Sequence, residues 1–356
     1  MELTKLLEQI PDQDTRAMGK ARERWAACAK PLGSLGLLET ALEEIAGLTG
    51  SPVIQLTPRA VLVLCADNGV VDCGVTQTDA SVTGIVARNL AAGRTSVCCM
   101  ARVAGCAVVP VDLGMVDFGE EPGVLSRRVG NGTGNIAVGP AMTRAQAEKA
   151  IGIGAALAME QAQAGVRLLA TGEMGIGNTT TSSAVSCALL GKPPSLLTGR
   201  GAGLSDAGFR RKRQAVERAL AVNRPDPHDP VDVLAKVGGF DIAGLCGVFL
   251  GAAAAHVPVL IDGFISAVAA LCALRLCPRA GHAMLAAHCS AEPGGQLLLE
   301  ALGKRPFLTA GMRLGEGTGA VAAMPVLDMA LAVYENSYTF ADGGIQAYEP
   351  QGGEEC

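Results

Sequence analysis

Residues 165–190 read GVRLLATGEMGIGNTTTSSAVSCALL. The apolar run Gly165–Ala170 predicts a short buried strand, and the Ala-rich run Ser182–Leu190 predicts a helix. The segment between them, TGEMGIGNTTT from Thr171 to Thr181, has the composition of a phosphate cradle. A Gly-rich turn from strand into helix brings backbone N–H groups close to an anion at the positive end of the helix dipole. Gly175, Ile176 and Gly177 would supply those groups, while Asn178, Thr179 and Thr180 add side-chain donors and a helix cap. Glu173 is out of place in a pure phosphate nest, because a carboxylate repels the anion. It fits if it faces a neutral or cationic part of the same ligand. A tight turn with an ordinary capping Glu has the same composition, so this segment alone leaves both readings open. Its spacing matches neither the Walker loop nor the dinucleotide fingerprint.

The same strand-then-helix unit recurs on either side. Val61–Ala66 is a continuous apolar run ending in Asp67-Asn68-Gly69, Ala107–Asp112 is a second, and Val257–Gly263 ends again in an acid and a glycine. The block Ala280–Ser290 holds one more candidate. Helices are expected at Leu3–Gln9, Asp14–Ala29, Leu37–Leu48, Val86–Ala104 and Arg144–Ala164. Strands alternating with helices imply right-handed crossovers and therefore an α/β fold with a parallel sheet. Acids recur at the strand C-termini: Asp67, Asp112, Glu173 and Asp262. In open α/β sheets ligands bind outside those ends, although Asp and Gly also favour turns for their own reasons.

Composition agrees with this class. The 356 residues are 49% hydrophobic and include 46 glycines but only one Trp, three Tyr and seven Phe. Small-residue helices covering both faces of a sheet suit that balance. The net charge of −5 argues against a nucleic-acid surface, which needs clustered positive charge. No apolar run reaches transmembrane length uninterrupted, and the charged N-terminus is unlike a signal peptide. A protein of the cytoplasm, with no membrane partner, is expected. The twelve cysteines include the adjacent Cys98 and Cys99 but no CxxC pair, so a zinc site is not indicated. Most lie among Ala, Val and Leu, where Cys behaves as a small core residue.

Three further segments have unusual chemistry. Residues 311–320, GMRLGEGTGA, flank Glu316 with Gly315 and Gly317, leaving its carboxylate on an unhindered backbone that a flat ligand can approach. Arg313 lies three residues before it. Residues 199–220, GRGAGLSDAGFRRKRQAVERAL, form a Gly-rich turn before a basic helix. Four consecutive cations, Arg210 to Arg213, splay around a helix, so only one or two can face a site. The remaining segment, His288-Cys289-Ser290-Ala291-Glu292, offers a His and a Ser without a hydrolase elbow.

Taken in order, KPLGSLGLLE, ADNGV with GVT following, TGEMGIGNTT, GRGAGLSD, GGFDIAGLCG, VPVLIDGFI, HCSAEPG and MRLGEGTGA form a specific set. The chain resembles the nicotinate-nucleotide–dimethylbenzimidazole phosphoribosyltransferases from about Lys30 to about Gly344. That resemblance implies a Rossmann-like parallel sheet flanked by helices, with a smaller helical domain from both chain ends, assembled as a homodimer. The implied division is 1–58 for the N-terminal part of the small domain, 59–310 for the core and 311–356 for the active-site Glu loop and C-terminal part.

The implied reaction moves the 5-phosphoribosyl group of nicotinate mononucleotide to a benzimidazole nitrogen, releasing nicotinate and inverting C1′ from β to α. No metal or cofactor is implied. Glu316 takes the family's general-base position and Glu173 that of the second active-site carboxylate. The phosphate and ribose fall to Gly175, Ile176, Gly177, Asn178 and Thr179, with Gly201, Lys212 and Arg313 in support. The base side falls to Thr78, Ile85, Met174, Leu314 and Ser290. The chemistry suits such a set: a pyridinium leaves without protonation, a carboxylate stabilises a cationic ribosyl centre, and the incoming benzimidazole needs one base for its N–H proton.

Departures cluster on the acceptor side. Where the family usually runs GVSAYP and then VT with a glutamine two residues on, this chain reads GVTQTDASVTGI. Thr78 stands at the tyrosine position, Asp79 at the proline and Ile85 at the glutamine; Asn68 and Gly295 replace histidines. Losing an aromatic and an amide changes stacking around a flat ligand. Adenine, substituted benzimidazoles or phenols then come into question as acceptors, as does a paralogous subunit for such a base. A nucleotide-binding sensor on the same fold is the rival from another class.

Overall fold

The computed structural model describes residues 2–349, so 350–356 of the expected C-terminal segment lie outside the described residues. Its sheet contains β1 (Arg59–Ala66), β2 (Cys106–Gly114), β3 (Leu125–Ser126), β4 (Leu168–Met174), β5 (Val259–Ile261) and β6 (Met284–Ala286). The strands lie in the order β3-β2-β1-β4-β5-β6, and every neighbouring pair is parallel. This is the doubly wound order of nucleotide-binding sheets, in which strand order reverses between β1 and β4. The α/β reading and its Rossmann-like form therefore hold.

The helices in chain order are α1 (Leu3–Glu8), α2 (Thr15–Ala27), α3 (Leu37–Thr49), α4 (Ser81–Ala91), α5 (Ser96–Ala104) and α6 (Arg144–Gln163). After β4 come α7 (Asn178–Leu190), α8 (Pro194–Leu197), α9 (Asp206–Asn223), α10 (Pro230–Val237) and α11 (Phe240–Ala254). The last three are α12 (Phe264–Leu276), α13 (Gly295–Ala301) and α14 (Thr318–Asn336).

β1 is buried along its whole length and sorts its side chains by period two. Ala60, Leu62, Leu64 and Ala66 face a core shared with α6, α11 and α12, while Val61, Val63 and Cys65 face one shared with α2, α3, α5 and α14. The Gly and Ala abundance has a packing cause. An added Cβ on Gly154 of α6 would land on the Gly244 carbonyl oxygen, and one on Gly247 of α11 on that of Ile151. The two helix backbones touch, and only small residues allow it.

Several boundaries differ from the sequence reading. The central strand starts and ends later, at Leu168–Met174 rather than Gly165–Ala170, because pairing with β1 carries through Leu64–Glu173 and Cys65–Met174. The helix after it begins at Asn178, directly behind Gly177 with φ +94°. Within its Thr/Ser run the hydroxyls are turned back on the helix, Thr181 Oγ donating to Asn178 O (3.0 Å) and Ser183 Oγ to Thr179 O (2.8 Å). The helix expected over Val86–Ala104 is two helices, broken at Gly93 with φ +71°. The strand expected over Val257–Gly263 contracts to Val259–Ile261, Pro258 having no N–H for a ladder. The two-residue edge strand β3 is too short to show a period.

The chain ends meet on one face. Trp25 and Tyr334 pack edge to face at 5.0 Å, and Cys28 bridges Thr339 in antiparallel fashion. The segment expected to act as one N-terminal piece divides, however: Leu6 and Ile10 join the opposite layer. By length and composition α14 could cross a membrane, yet half of it is buried and it contains Pro325.

Candidate active site

A cavity of about 290 Å³ opens at the C-terminal edge of the sheet, beside the β1/β4 reversal. That volume sits at the small end of ordinary ligand pockets, roughly 300–1,000 Å³. Its wall collects the end of β4, the turn into α7, the ends of β5 and β6, and the loops carrying Thr78, Gly201 and Glu316. Four sequence-flagged acids end strands, and the structure separates them. Glu173 and Asp262 line the cavity. Asp67 instead accepts from Thr83 Oγ (2.5 Å) and Val116 N (2.8 Å), and Asp112 from Gly114 N and Met115 N, both at 2.9 Å. Those two hold loops.

Glu173 is buried, and Asn178 donates its side-chain amide to Glu173 Oε2. Burial pushes its carboxyl well above the ordinary 4.5, helped by the nearby charges of Asp241 and Asp262. Its Oε1 sits over Gly315, where an added Cβ would lie 2.5 Å away. Glu316 follows, half-buried, in a left-handed conformation with φ +60° between Gly315 and Gly317, both at +91°. Its Oε2 accepts from Val97 N, in the first turn of α5, at 3.3 Å. The two carboxylates therefore reach one cavity from a strand end and a loop that touch.

The opposite wall is cationic. Of the basic run on α9, the structure buries Lys212 alone, at 1% exposure. Its ammonium donates to Thr179 Oγ at 2.8 Å. No carboxylate among the described residues lies within 4.0 Å of it, and Glu292 acts on it only through space. Burial pushes its pKa down to about 8. A nearly unexposed cation with one hydroxyl partner, facing a cavity, is arranged for an anion that is not part of the protein. Gly201 lies against this pair, at 3.3 Å from its added Cβ to Lys212 Nζ.

The structure redistributes the other predicted residues. Gly175, Ile176, Gly177, Asn178, Thr179, Arg313, Met174, Leu314, Ser290 and Thr78 all line the cavity. Two of them are not free donors. Ile176 N is held by Thr83 Oγ (3.2 Å), and Asn178 gives its amide to Glu173 and its backbone N–H to Gly175 O (3.1 Å). The anion end thus rests on Thr179, Lys212 and the adjacent glycines. Ile85 is outside the lining: it is 51% exposed on α4, whose Thr83, Gly84 and Ala87 face inward.

Sequence reasoning passes over Asp241, buried behind Gly175 with its carboxyl raised to about 6 by burial. It also gives no role to Arg200, Glu292 and His288, all on the cavity wall. An acid inside the apolar run GGFDIAGLCG is the available signal for Asp241. Among the described residues the cysteines are free and mostly buried, and no group of three or more His, Cys, Asp or Glu could hold a metal ion.

Comparison with known proteins agrees with this geometry. The phosphoribosyltransferase family model matches residues 10–345. A nicotinate-nucleotide–dimethylbenzimidazole phosphoribosyltransferase of Acetivibrio thermocellus is 48% identical over 98% of this chain and 99% of its own. Its namesake from Ruminiclostridium cellulolyticum is 45% identical over the same shares. A crystal structure of CobT from Thermus thermophilus superposes with a TM-score of 0.88 at 41% identity, over 93% of this chain and 99% of that one. On these matches, the chain belongs to the nicotinate-nucleotide–dimethylbenzimidazole phosphoribosyltransferase family.

Proposed function

We propose that this chain transfers the 5-phosphoribosyl group of nicotinate mononucleotide to a benzimidazole-type base, inverting C1′ from β to α. The products are an α-ribazole phosphate, used in cobamide nucleotide-loop assembly, and nicotinate. One observation carries the reading: a single cavity has a nearly bare buried ammonium at one wall and two carboxylates at the other. The 5′-phosphate belongs against Lys212 and Thr179, with Gly201 leaving room beside that pair, Gly175 and Gly177 shaping the turn behind it, and Arg313 at the mouth. The pyridinium and ribose then point towards Glu173 and Glu316.

Glu316 accepts the N–H proton of the incoming base as its other nitrogen attacks C1′. The pyridinium departs as neutral nicotinate ring nitrogen, so no acid is required on that side. Burial favours the neutral form of Glu173; a cationic donor beside it favours the ionised form, which then stabilises the oxocarbenium-like centre. Thr78, Met174, Leu314 and Ser290 bound the acceptor. Supporting a homodimer, the packed helices α5 and α14 expose Val103 (85%) and Met329 (61%); free cysteines suit a reducing cytoplasm. The test is an acceptor panel with nicotinate mononucleotide, read by product identity. No ribosylated base from any acceptor, with the nucleotide bound, would favour the sensor instead.

A further inference from the structure

We propose that Asp262 is a positioning residue for Glu316: from the end of β5 its carboxylate clamps the backbone just beyond Glu316 and so holds that side chain in the cavity. The proposal rests on reading Glu316 as the proton acceptor.

Left-handed φ is free for Gly315 and Gly317, but at Glu316, with φ +60°, it costs on the order of 1–2 kcal/mol. A glutamate stays there only if its surroundings hold it. Asp262 Oδ2 accepts from Gly317 N at 3.2 Å, and Oδ1 accepts from Ala320 N at 2.9 Å. These N–H groups belong to the start of α14, whose own N-cap, Gly317, has no side chain to satisfy them. The cap therefore comes from another strand. Asp262 is 3% exposed, so its oxygens have little water to turn to.

The remaining contacts leave the loop no alternative path. His288 Nε2 stands 3.8 Å from Asp262 Oδ1, its ring lying where a Cβ on Gly319 would be. On the other side Gly172 of β4 lies under the loop, its added Cβ only 2.5 Å from the Glu316 carbonyl oxygen. The loop is thus pinned between β4 and Asp262, and the Glu316 carboxylate is delivered to Val97 N at 3.3 Å. A base must meet its proton at hydrogen-bond distance, and a 1 Å misplacement can cost roughly 100-fold.

A double-mutant cycle tests this. Asp262→Asn keeps the shape but turns an NH₂ group against one of the two N–H donors. Turnover should fall about 10- to 100-fold, while affinity for ribose 5-phosphate stays within about twofold. In a Glu316→Gln background the same change should cost several-fold less, because the carboxylate it positions is gone and only the through-space effect of Asp262 on Glu173 remains. Equal losses in both backgrounds would overturn the proposal. Near-normal turnover of Glu316→Gln alone would instead remove the base assignment beneath it. Asp262→Ser, which keeps one acceptor, is the second variant. If circular dichroism shows neither variant folded, Asp262 serves the fold as a whole and the proposal fails.

Discussion

Raising the pH from about 7 to about 9.5 should loosen a phosphate-bearing ligand through one residue, Lys212, by titrating its ammonium. The ammonium is 1% exposed, bonded only to Thr179 Oγ at 2.8 Å, and burial has lowered its pKa from 10.5 to about 8. Bound phosphate keeps the lysine charged, so binding above pH 8 must first restore a proton to the free protein. Affinity should be level below about 8 and fall about tenfold per pH unit above it, reaching roughly 11-fold at pH 9. The ligand itself contributes nothing to this slope, since its second phosphate proton leaves near ~6. Calorimetric titration with ribose 5-phosphate reads the effect.

Lys212→Met supplies the control in two directions. It should lose about 1.5–3 kcal/mol of affinity at neutral pH, or roughly 10- to 150-fold, by removing a charge-assisted bond, and it should erase the slope. It should also stabilise the free protein. A base whose folded pKa lies below its unfolded value destabilises the fold most at low pH, and the cost is relieved as pH rises from about 8 towards 10.5. That depression, from 10.5 to about 8, corresponds to about 3 kcal/mol of unfavourable charging. The methionine variant should therefore melt higher at pH 7 while binding worse. A flat affinity up to pH 9.5 in the native protein, or a slope surviving in Lys212→Met, would show that Lys212 does not hold the phosphate.

Glu316→Gln should lower turnover by ~10²–10⁴-fold with little loss of nicotinate mononucleotide affinity, measured by steady-state kinetics beside calorimetry. Gly177→Val should weaken the nucleotide more than the acceptor base. The added Cβ would stand 3.1 Å from Val71 Cγ2 and 3.2 Å from Asn68 Cβ at φ +94°, so it would strain the turn rather than plug the cavity; equal losses for both ligands would count against the cradle. Thr78→Tyr, on the cavity wall, should narrow the acceptor range in paired competition assays, whereas Ile85→Gln, half exposed outside it, should not. Gln77→Ala removes the amide's bonds to Ala202 O (2.7 Å) and Gly203 O (2.8 Å), so amide exchange at Gly203 and Leu204 should quicken.

The sheet and the main wall of the cavity are legible in the sequence because both follow from local pattern. Apolar runs ending in an acid or glycine mark strands β1, β4 and β5, and glycines around Glu173 and Glu316 mark loops that approach a ligand. Which acid faces the cavity is not legible: Asp67 and Asp262 end their strands alike and each accepts from the backbone of a neighbouring loop, yet of the two Asp262 lines the site. That depends on which strand ends converge, and convergence is set by strand order. Asn178 escapes sequence reading for a similar reason. Its composition suits an anion cradle, but Glu173, brought back by the turn, takes its amide. Ile85 falls on the base side by resemblance alone, and the helix turns it away from the cavity. Lys212 cannot be singled out from its three neighbours until α9 docks.

The two carboxylates illustrate how one fold gives like groups unlike chemistry. Glu173 ends a strand in the middle of the sheet, where burial and the charges of Asp241 and Asp262 favour its neutral form. Glu316 sits on a strained turn, half-buried, with a helix N-terminal N–H directed at its oxygen. On the proposed mechanism a cationic nucleotide meets Lys212 with its phosphate and Glu173 with its ring, so that binding the donor itself favours ionisation of Glu173. The positive charge then moves from pyridinium to ribose as the bond breaks, without leaving the neighbourhood of that carboxylate. Glu316 adds its own charge to that neighbourhood and, on the proposed mechanism, takes the proton that the acceptor must lose. The proposed division of labour follows from position: the acid fixed by the sheet would answer the donor's charge, and the acid held on the loop the acceptor's proton.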